Sequence, residues 1–329
     1  VIKEMISQAQ DLLLKGQANL AYWDNPTYGL YMPDLRHHTY ANLIKAENLI
    51  DISSRHASKW IQVSEADYDC DGNDEVIIET ETQNIYISPS FGGSITEHDY
   101  RSKNINLTAT ISRKKENYHT EIQTLSSSTK KDEEWASGES STAVLTKPST
   151  TNAEISTLTY DTYPKFSLIE HFLKPNLEFN DILSNKLPLL TKEAINSYQI
   201  EKIKAKEESC KVSLLSTLQL TNLEQIADIE IRKQFNTRSG DSSLIIDYEL
   251  LNKGSQGIEI LLGVELNFSI LMDKNNNSFL YLDGNQKNKT PNSELSSKEE
   301  LKNVNHISIY NQKQNLDLSL SWNKACDLY

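Results

Sequence analysis

The run Asp67-x-Asp69-x-Asp71-Gly72-Asn73-x-Glu75 sets alternate acidic side chains around a glycine. Alternate carboxylates can turn toward one centre, Gly72 permits a sharp turn, and Asn73 and Glu75 supply further oxygens. Such an all-oxygen set suits calcium, the one cofactor the sequence suggests. An EF-hand loop needs Glu at its twelfth position, which here is Ile78, so the run is closer to a short calcium turn before a strand. A solvated acidic turn uses the same residue types, because Asp, Asn and Gly favour turns for backbone reasons of their own. Both readings stand. Among 46 Asp and Glu, no spacing singles out a pair for acid–base work. Glu97 and Asp99, two apart on an expected strand, read as a solvated face, and Glu265 between Val264 and Leu266 as a satisfied buried carboxylate or a ligand contact. His37 and His38 are adjacent on an expected helix and cannot share a metal on one face. His119 and His171 read as structural or rim residues. No GxSxG, P-loop or GxGxxG context exists, which gives serine hydrolase and nucleotide roles little weight.

The elements that must hold these residues are few in kind. Ile2, Met5, Ile6, Ala9 and Leu13 recur at spacings of three and four and predict a helix with that face inward, loosened or ended at Gly16. An irregular aromatic segment follows over 22–31, where Tyr28 and Tyr31 read as packing residues. Pro33 and Asp34 then start a second helix, with Tyr40, Leu43 and Ile44 inward, ending before Trp60. Beyond it the period changes to two. Strands are expected at 76–81, 84–88, 153–159, 198–205, 211–218, 229–235, 244–251, 258–268, 279–282, 306–310 and 316–322. The fold class is therefore mainly β: a helical segment over 1–60, then a large antiparallel β-sandwich over 61–329. Residues 126–152 are polar enough for a disordered surface insertion, and 287–302 form a second polar stretch.

Totals narrow the partners. A formal charge of -13 repels nucleic acid and anionic membrane, and no apolar run reaches the length of a membrane helix. Cys70, Cys210 and Cys326 are odd in number and far apart, which fits a reducing compartment and a cytoplasmic location.

Four blocks in order resemble one family. The first runs from Gly16-Gln17-Ala18-Asn19-Leu20-Ala21-Tyr22-Trp23 through Gly29-Leu30-Tyr31-Met32-Pro33-Asp34-Leu35-Arg36 to Asn42-Leu43-Ile44-Lys45-Ala46-Glu47. The second is the acidic turn. The third joins Phe91-Gly92-Gly93-Ser94 and Glu97-His98-Asp99-Tyr100-Arg101 to Arg113-Lys114-Lys115-Glu116-Asn117-Tyr118-His119. The fourth holds Tyr160-Asp161, Ser167-Leu168-Ile169-Glu170-His171-Phe172-Leu173 and Gly263-Val264-Glu265-Leu266-Asn267. Together they are similar to the helical segment and C-terminal sandwich of family-57 glycoside hydrolases, the α-amylase and 4-α-glucanotransferase type.

That resemblance implies a galactose-mutarotase-like supersandwich, truncated at its end, and a catalytic β/α barrel lying ahead of Val1. The barrel carries the two carboxylates, so this stretch alone is expected to be inactive while its parent acts on α-glucan or maltooligosaccharide. The expected roles are to complete the substrate cleft and stabilise the barrel of the same polypeptide. Trp23, with Tyr22 beside it, is then the expected sugar contact, since an aromatic plane stacks on a glucose ring. Packing between helix and sandwich is the competing role. Where the family has His-Gly after Tyr-Trp, this chain has Asp24-Asn25-Pro26-Thr27-Tyr28-Gly29, which puts that subsite in doubt. A stand-alone carbohydrate-binding or interaction module, and a scaffold with neither binding nor activity, remain alternatives.

Overall fold

In a computed structural model of the chain, the described residues are 1–23, 29–116, 160–184, 186–222, 225–271, 278–282, 290–291 and 300–329. The insertion expected at 126–152, the strand expected at 153–159, His119, Tyr28 and most of 287–302 lie outside them.

Helix α1 (Ile2–Gly16) is followed by a 3-10 turn (Asn19–Ala21) and helix α2 (Pro33–Ser54). Pro33 occupies the start of α2, where its missing N–H costs nothing, and Asp34 favours the positive end of the helix dipole. The two helices pack closely. A Cβ added at Gly16 would lie 2.4 Å from Leu43 Cδ2, so only glycine lets α1 approach there. This corrects the expected inner face of α1. Ala9 and Gly16 are buried, whereas Ile2, Ile6 and Leu13 are exposed by 58%, 40% and 44%. Small residues allow the close approach, and the bulky stripe is left facing outward.

Strands β1 (Ile61–Ala66), β2 (Glu75–Thr80), β3 (Gln83–Ser88), β4 (Ser94–Tyr100) and β5 (Ile105–Asn106) form an antiparallel sheet in chain order. After β6 (Ile169–Leu173) and a short helix α3 (Phe179–Leu183), four strands make a second sheet. These are β7 (Gln199–Lys206), β8 (Ser209–Asn222), β9 (Gln225–Arg238) and β10 (Ile245–Asn252), in the order β10-β9-β8-β7. Strand β11 (Leu261–Glu265) pairs with β6. The last sheet holds β12 (Ser278–Leu282), β13 (Thr290–Pro291), β14 (Leu301–Asn311) and β15 (Leu316–Leu328), in the order β13-β12-β14-β15. Strands β1, β5, β6 and β13 were not expected from the sequence, whereas β4 is the strand on which Glu97 and Asp99 were expected.

Period two explains the core. Val76 and Ile78, Ile85 and Ile87, and Ile95 from the first sheet meet Val212, Leu214, Ile229, Ile231 and Phe235 from the second, with Phe172 among them. Two antiparallel sheets thus share one apolar layer, which makes the body a β-sandwich. The opposite face of the first sheet is buried as well, because α2 lies across it: Asn84 Nδ2 donates to Glu47 Oε2 at 2.9 Å. Residues 111–116 and 160–165 belong to a second unit, in which the amide of Asp161 donates to Arg113 O at 2.9 Å. Among the described residues, no helix is long and apolar enough to cross a membrane. The three cysteines are free thiols, Cys210 buried and the others exposed.

Candidate functional site

The acidic turn joins β1 to β2, and its backbone conformation follows from local hydrogen bonds. Asp67 Oδ2 accepts the Gly72 N–H at 3.1 Å, and Asp69 Oδ1 accepts the Asp71 N–H at 3.1 Å. Asp71 Oδ1 accepts both the backbone N–H and the side-chain amide of Asn73, at 2.7 and 3.0 Å. Gly72 sits at φ 93°, where glycine is favoured. One oxygen from each of Asp67, Asp69 and Asp71 lies within 4.8 Å of the others, and all three side chains are exposed. Oxygens that bind one calcium at about 2.3–2.6 Å can stand up to about 5 Å apart, so these three fit. Glu75 is outside this group. Its side chain is buried and its Oε2 accepts the Tyr68 N–H at 3.1 Å, while burial raises its pKa. Glu75 closes the base of the turn.

Tyr22 and Trp23 follow the 3-10 turn that buried Ala21 anchors. The Tyr22 hydroxyl donates to Gly16 O at 2.7 Å, and its ring remains half exposed. Trp23 accepts the Leu30 N–H on its carbonyl at 2.9 Å, yet its side chain is 66% exposed. The indole is therefore not packed in a core.

Glu97 and Asp99 overturn the expected solvated face. They project from β4 on the side covered by α2, opposite Tyr86 and Asn84 of β3. Asp99 is only 2% exposed, and its Oδ1 has no hydrogen-bond donor. Asn84 Nδ2 lies 2.9 Å from Glu47 Oε2 and 3.5 Å from Asp99 Oδ2, so one amide bridges helix and strand. Burial raises Glu97 to about 7, and Glu47 adds repulsion. Burial also raises Glu47 to about 7, against the pull of Arg101. Asp99 is held well above the carboxylate range by burial and by the charges of Glu97 and Glu47. On the other face of β4, burial lowers His98 to about 4, and its Nε2 lies 2.8 Å from Gln83 Oε1. Glu265 is a satisfied carboxylate, meeting His171 Nε2 and Asn267 Nδ2 at 2.9 Å each. His37 Nε2 meets Ser269 Oγ at 3.2 Å, and His38 Nδ1 lies near Asp34 O, so the pair serves separate contacts.

A buried ion pair went unread in the sequence. Lys233 is fully buried, with its ammonium donating to Gly92 O, Gly93 O and Leu168 O at 2.8–3.0 Å and pairing with Glu170. Tyr248 and Tyr198 hydroxyls donate to Glu170 at 2.7 and 3.2 Å.

Two family models match the chain in succession. Residues 2–50 match "Alpha-amylase/4-alpha-glucanotransferase, middle domain", and residues 67–329 match "Alpha-amylase/4-alpha-glucanotransferase, C-terminal". The chain belongs to the α-amylase/4-α-glucanotransferase family. Within this family it is 29% identical over 288 residues to Alpha-amylase 1 of Dictyoglomus thermophilum, covering 87% of this chain and 38% of that protein. It is 26% identical over 265 residues to the 4-alpha-glucanotransferase of Thermococcus kodakarensis, covering 80% of this chain and 36% of the relative. The crystal structure of the 4-alpha-glucanotransferase from Thermococcus litoralis superposes with a TM-score of 0.62 at 20% identity, over 98% of this chain and 45% of that one, which supports a shared fold. The chain thus spans less than half the length of the family members it matches, and corresponds to their middle and C-terminal domains.

Proposed function

We propose that this chain is the C-terminal portion of an enzyme that cleaves or transfers α-1,4-glucan, and that it completes the substrate cleft and buttresses a catalytic barrel of the same polypeptide. One observation carries the reading: two family domains match in order, while the chain spans only 36–38% of those relatives. The outward stripe of Ile2, Ile6 and Leu13 on α1 supports it, because a helix that keeps apolar side chains on a second face has a further surface to bury. Three free thiols support a cytoplasmic setting. Catalytic carboxylates belong to the barrel in this reading, and the present residues bind and position.

Trp23 and Tyr22 are the sugar contacts. An exposed indole held by a backbone hydrogen bond offers a flat apolar face for a glucose ring. Trp23→Ala weakens maltoheptaose binding by about tenfold, roughly 1.4 kcal/mol. Because the ring is exposed, its loss moves stability by only about 0.5 kcal/mol. Calorimetric titration and thermal melting of the same variant check both numbers. Unchanged binding, or a large fall in melting temperature, would remove Trp23 from the sugar-contacting role.

Calcium belongs to the same proposal. The ion would sit on Asp67, Asp69 and Asp71 and tie the turn before β2. A ligand held only by the folded chain adds RT ln(1 + [L]/Kd) of stability, so saturating calcium raises Tm by a few degrees and Asp69→Ala removes the response. Identical melting curves in calcium and in excess chelator leave a plain solvated turn.

A further inference from the structure

The helix-facing side of the first sheet carries more carboxylates than cations, with Asp99 buried at its centre and the others partly covered. From β4 come Glu97 and Asp99, from α2 come Glu47 and Asp51, and from β2 comes Glu79, which adds to the negative field at Glu47. The cation facing this cluster is Arg101, just after β4. Its guanidinium is already engaged: Nε donates to Asn48 Oδ1 at 2.6 Å, Nη1 to Asn84 Oδ1 at 2.9 Å, and Nη2 pairs with Asp51. Glu47 lies 3.8 Å from Arg101 Nη1, too far for a hydrogen bond. Arg55 pairs with Asp51 at 2.9 Å and stacks on Trp60. The other neighbours of Glu97 are phenols: Tyr86 from β3, Tyr68 from the acidic turn and Tyr40 from α2. His98 is on the opposite face with Gln83. Asn84 is thus the sole neutral side-chain donor that reaches both Glu47 and Asp99 among the described residues, and Asp99 Oδ1 is left buried with no donor. A buried oxygen without a donor beside a second carboxyl is stable when one of the two carries a proton.

We propose that Glu97 and Asp99 hold one proton between them while α2 is seated on the sheet, with Glu47 closing the cluster from the helix, and that losing this proton loosens the seat of α2. The cluster is a pH-sensitive clasp between the segments matched by the two domain models. What α2 carries with it is considerable. Gly16 of α1 packs on Leu43, and Tyr22 is tied to Gly16, so the turn bearing Tyr22 and Trp23 follows the helix. The sign follows from proton counting. In the unfolded chain these carboxyls ionise near 4.5 or below, whereas in the folded chain Glu47 and Glu97 ionise near 7. The folded state therefore holds more protons across this window, so stability is fullest below about 4.5 and falls as pH rises to about 7.

The test uses the whole chain, its Glu97→Gln variant and its Asp99→Asn variant. Between pH 5 and 8 the wild type loses roughly 3–6 °C of Tm more than Glu97→Gln does, because a neutral amide removes one titrating partner. The difference between the two curves cancels the general repulsion of an acidic chain. The side-chain amide resonance of Asn84 reports the same proton directly. It shifts through one titration step near neutral pH in the wild type and loses that step in Asp99→Asn. Should Asp99→Asn not fold, Glu97→Gln carries both readouts. An Asn84 amide that does not move with pH, or equal pH slopes of Tm in wild type and Glu97→Gln, overturns the clasp.

Discussion

Replacing Lys233 by Met lowers the stability of the chain by about 3–5 kcal/mol, the usual cost of removing one partner from a buried ion pair. The ammonium has no exposed surface, and Glu170 beside it is 3% exposed at the side chain. Burial pulls the Lys233 pKa down, and Glu170 opposes that pull. Without the cation, Glu170 keeps only the hydroxyls of Tyr198 and Tyr248. The carbonyls of Gly92, Gly93 and Leu168 lose their donor as well. Those three residues have φ of 73°, 52° and 64°, so the lysine also holds a turn and a strand entry in a conformation that Leu168 adopts with strain. The double change Lys233→Met with Glu170→Gln costs less than the single one, because the stranded charge is gone. Urea midpoints for the two variants measure this. A single variant with the wild-type midpoint, or a double variant worse than the single, contradicts the account.

Lys233 also shows where sequence reading reached and where it stopped. Ile229, Ile231 and Phe235 alternate on the inward face of β9, and Lys233 has the same parity, so a charged residue at an inward position was visible. Its partner was not, since Glu170 is 63 positions away and only the folded sheets bring the two together. The acidic turn was legible because it is local: each carboxylate answers to a backbone N–H two to five residues on. The face of β4 was misread for a tertiary reason. Its Glu97 and Asp99 suit a solvated face in any sheet covered on one side, and the cover here is α2, contributed from about 50 residues earlier. The inner face of α1 failed similarly. Apolar periodicity names a stripe, but the close approach at Gly16 and Leu43 decides which stripe is buried.

The central claim is that these residues supply structure and sugar contact to a catalytic centre carried elsewhere. A retaining glycosidase needs two carboxylates about 5–5.5 Å apart across the scissile bond, one as nucleophile and one as acid and base. Two acidic clusters among the described residues can be held against that requirement. Asp67, Asp69 and Asp71 each spend an oxygen on the backbone of their own exposed turn. Glu47, Glu97 and Asp99 have the raised pKa values an acid needs, but they meet at the seam between α2 and the first sheet, and Asp99 has almost no surface to meet a substrate. Incubating the purified 329-residue chain with maltoheptaose, and resolving the products by chromatography, puts the claim at risk most directly. The account predicts an unchanged maltoheptaose peak, with no shorter or longer oligosaccharides. Turnover that persists through purification to homogeneity would contradict it.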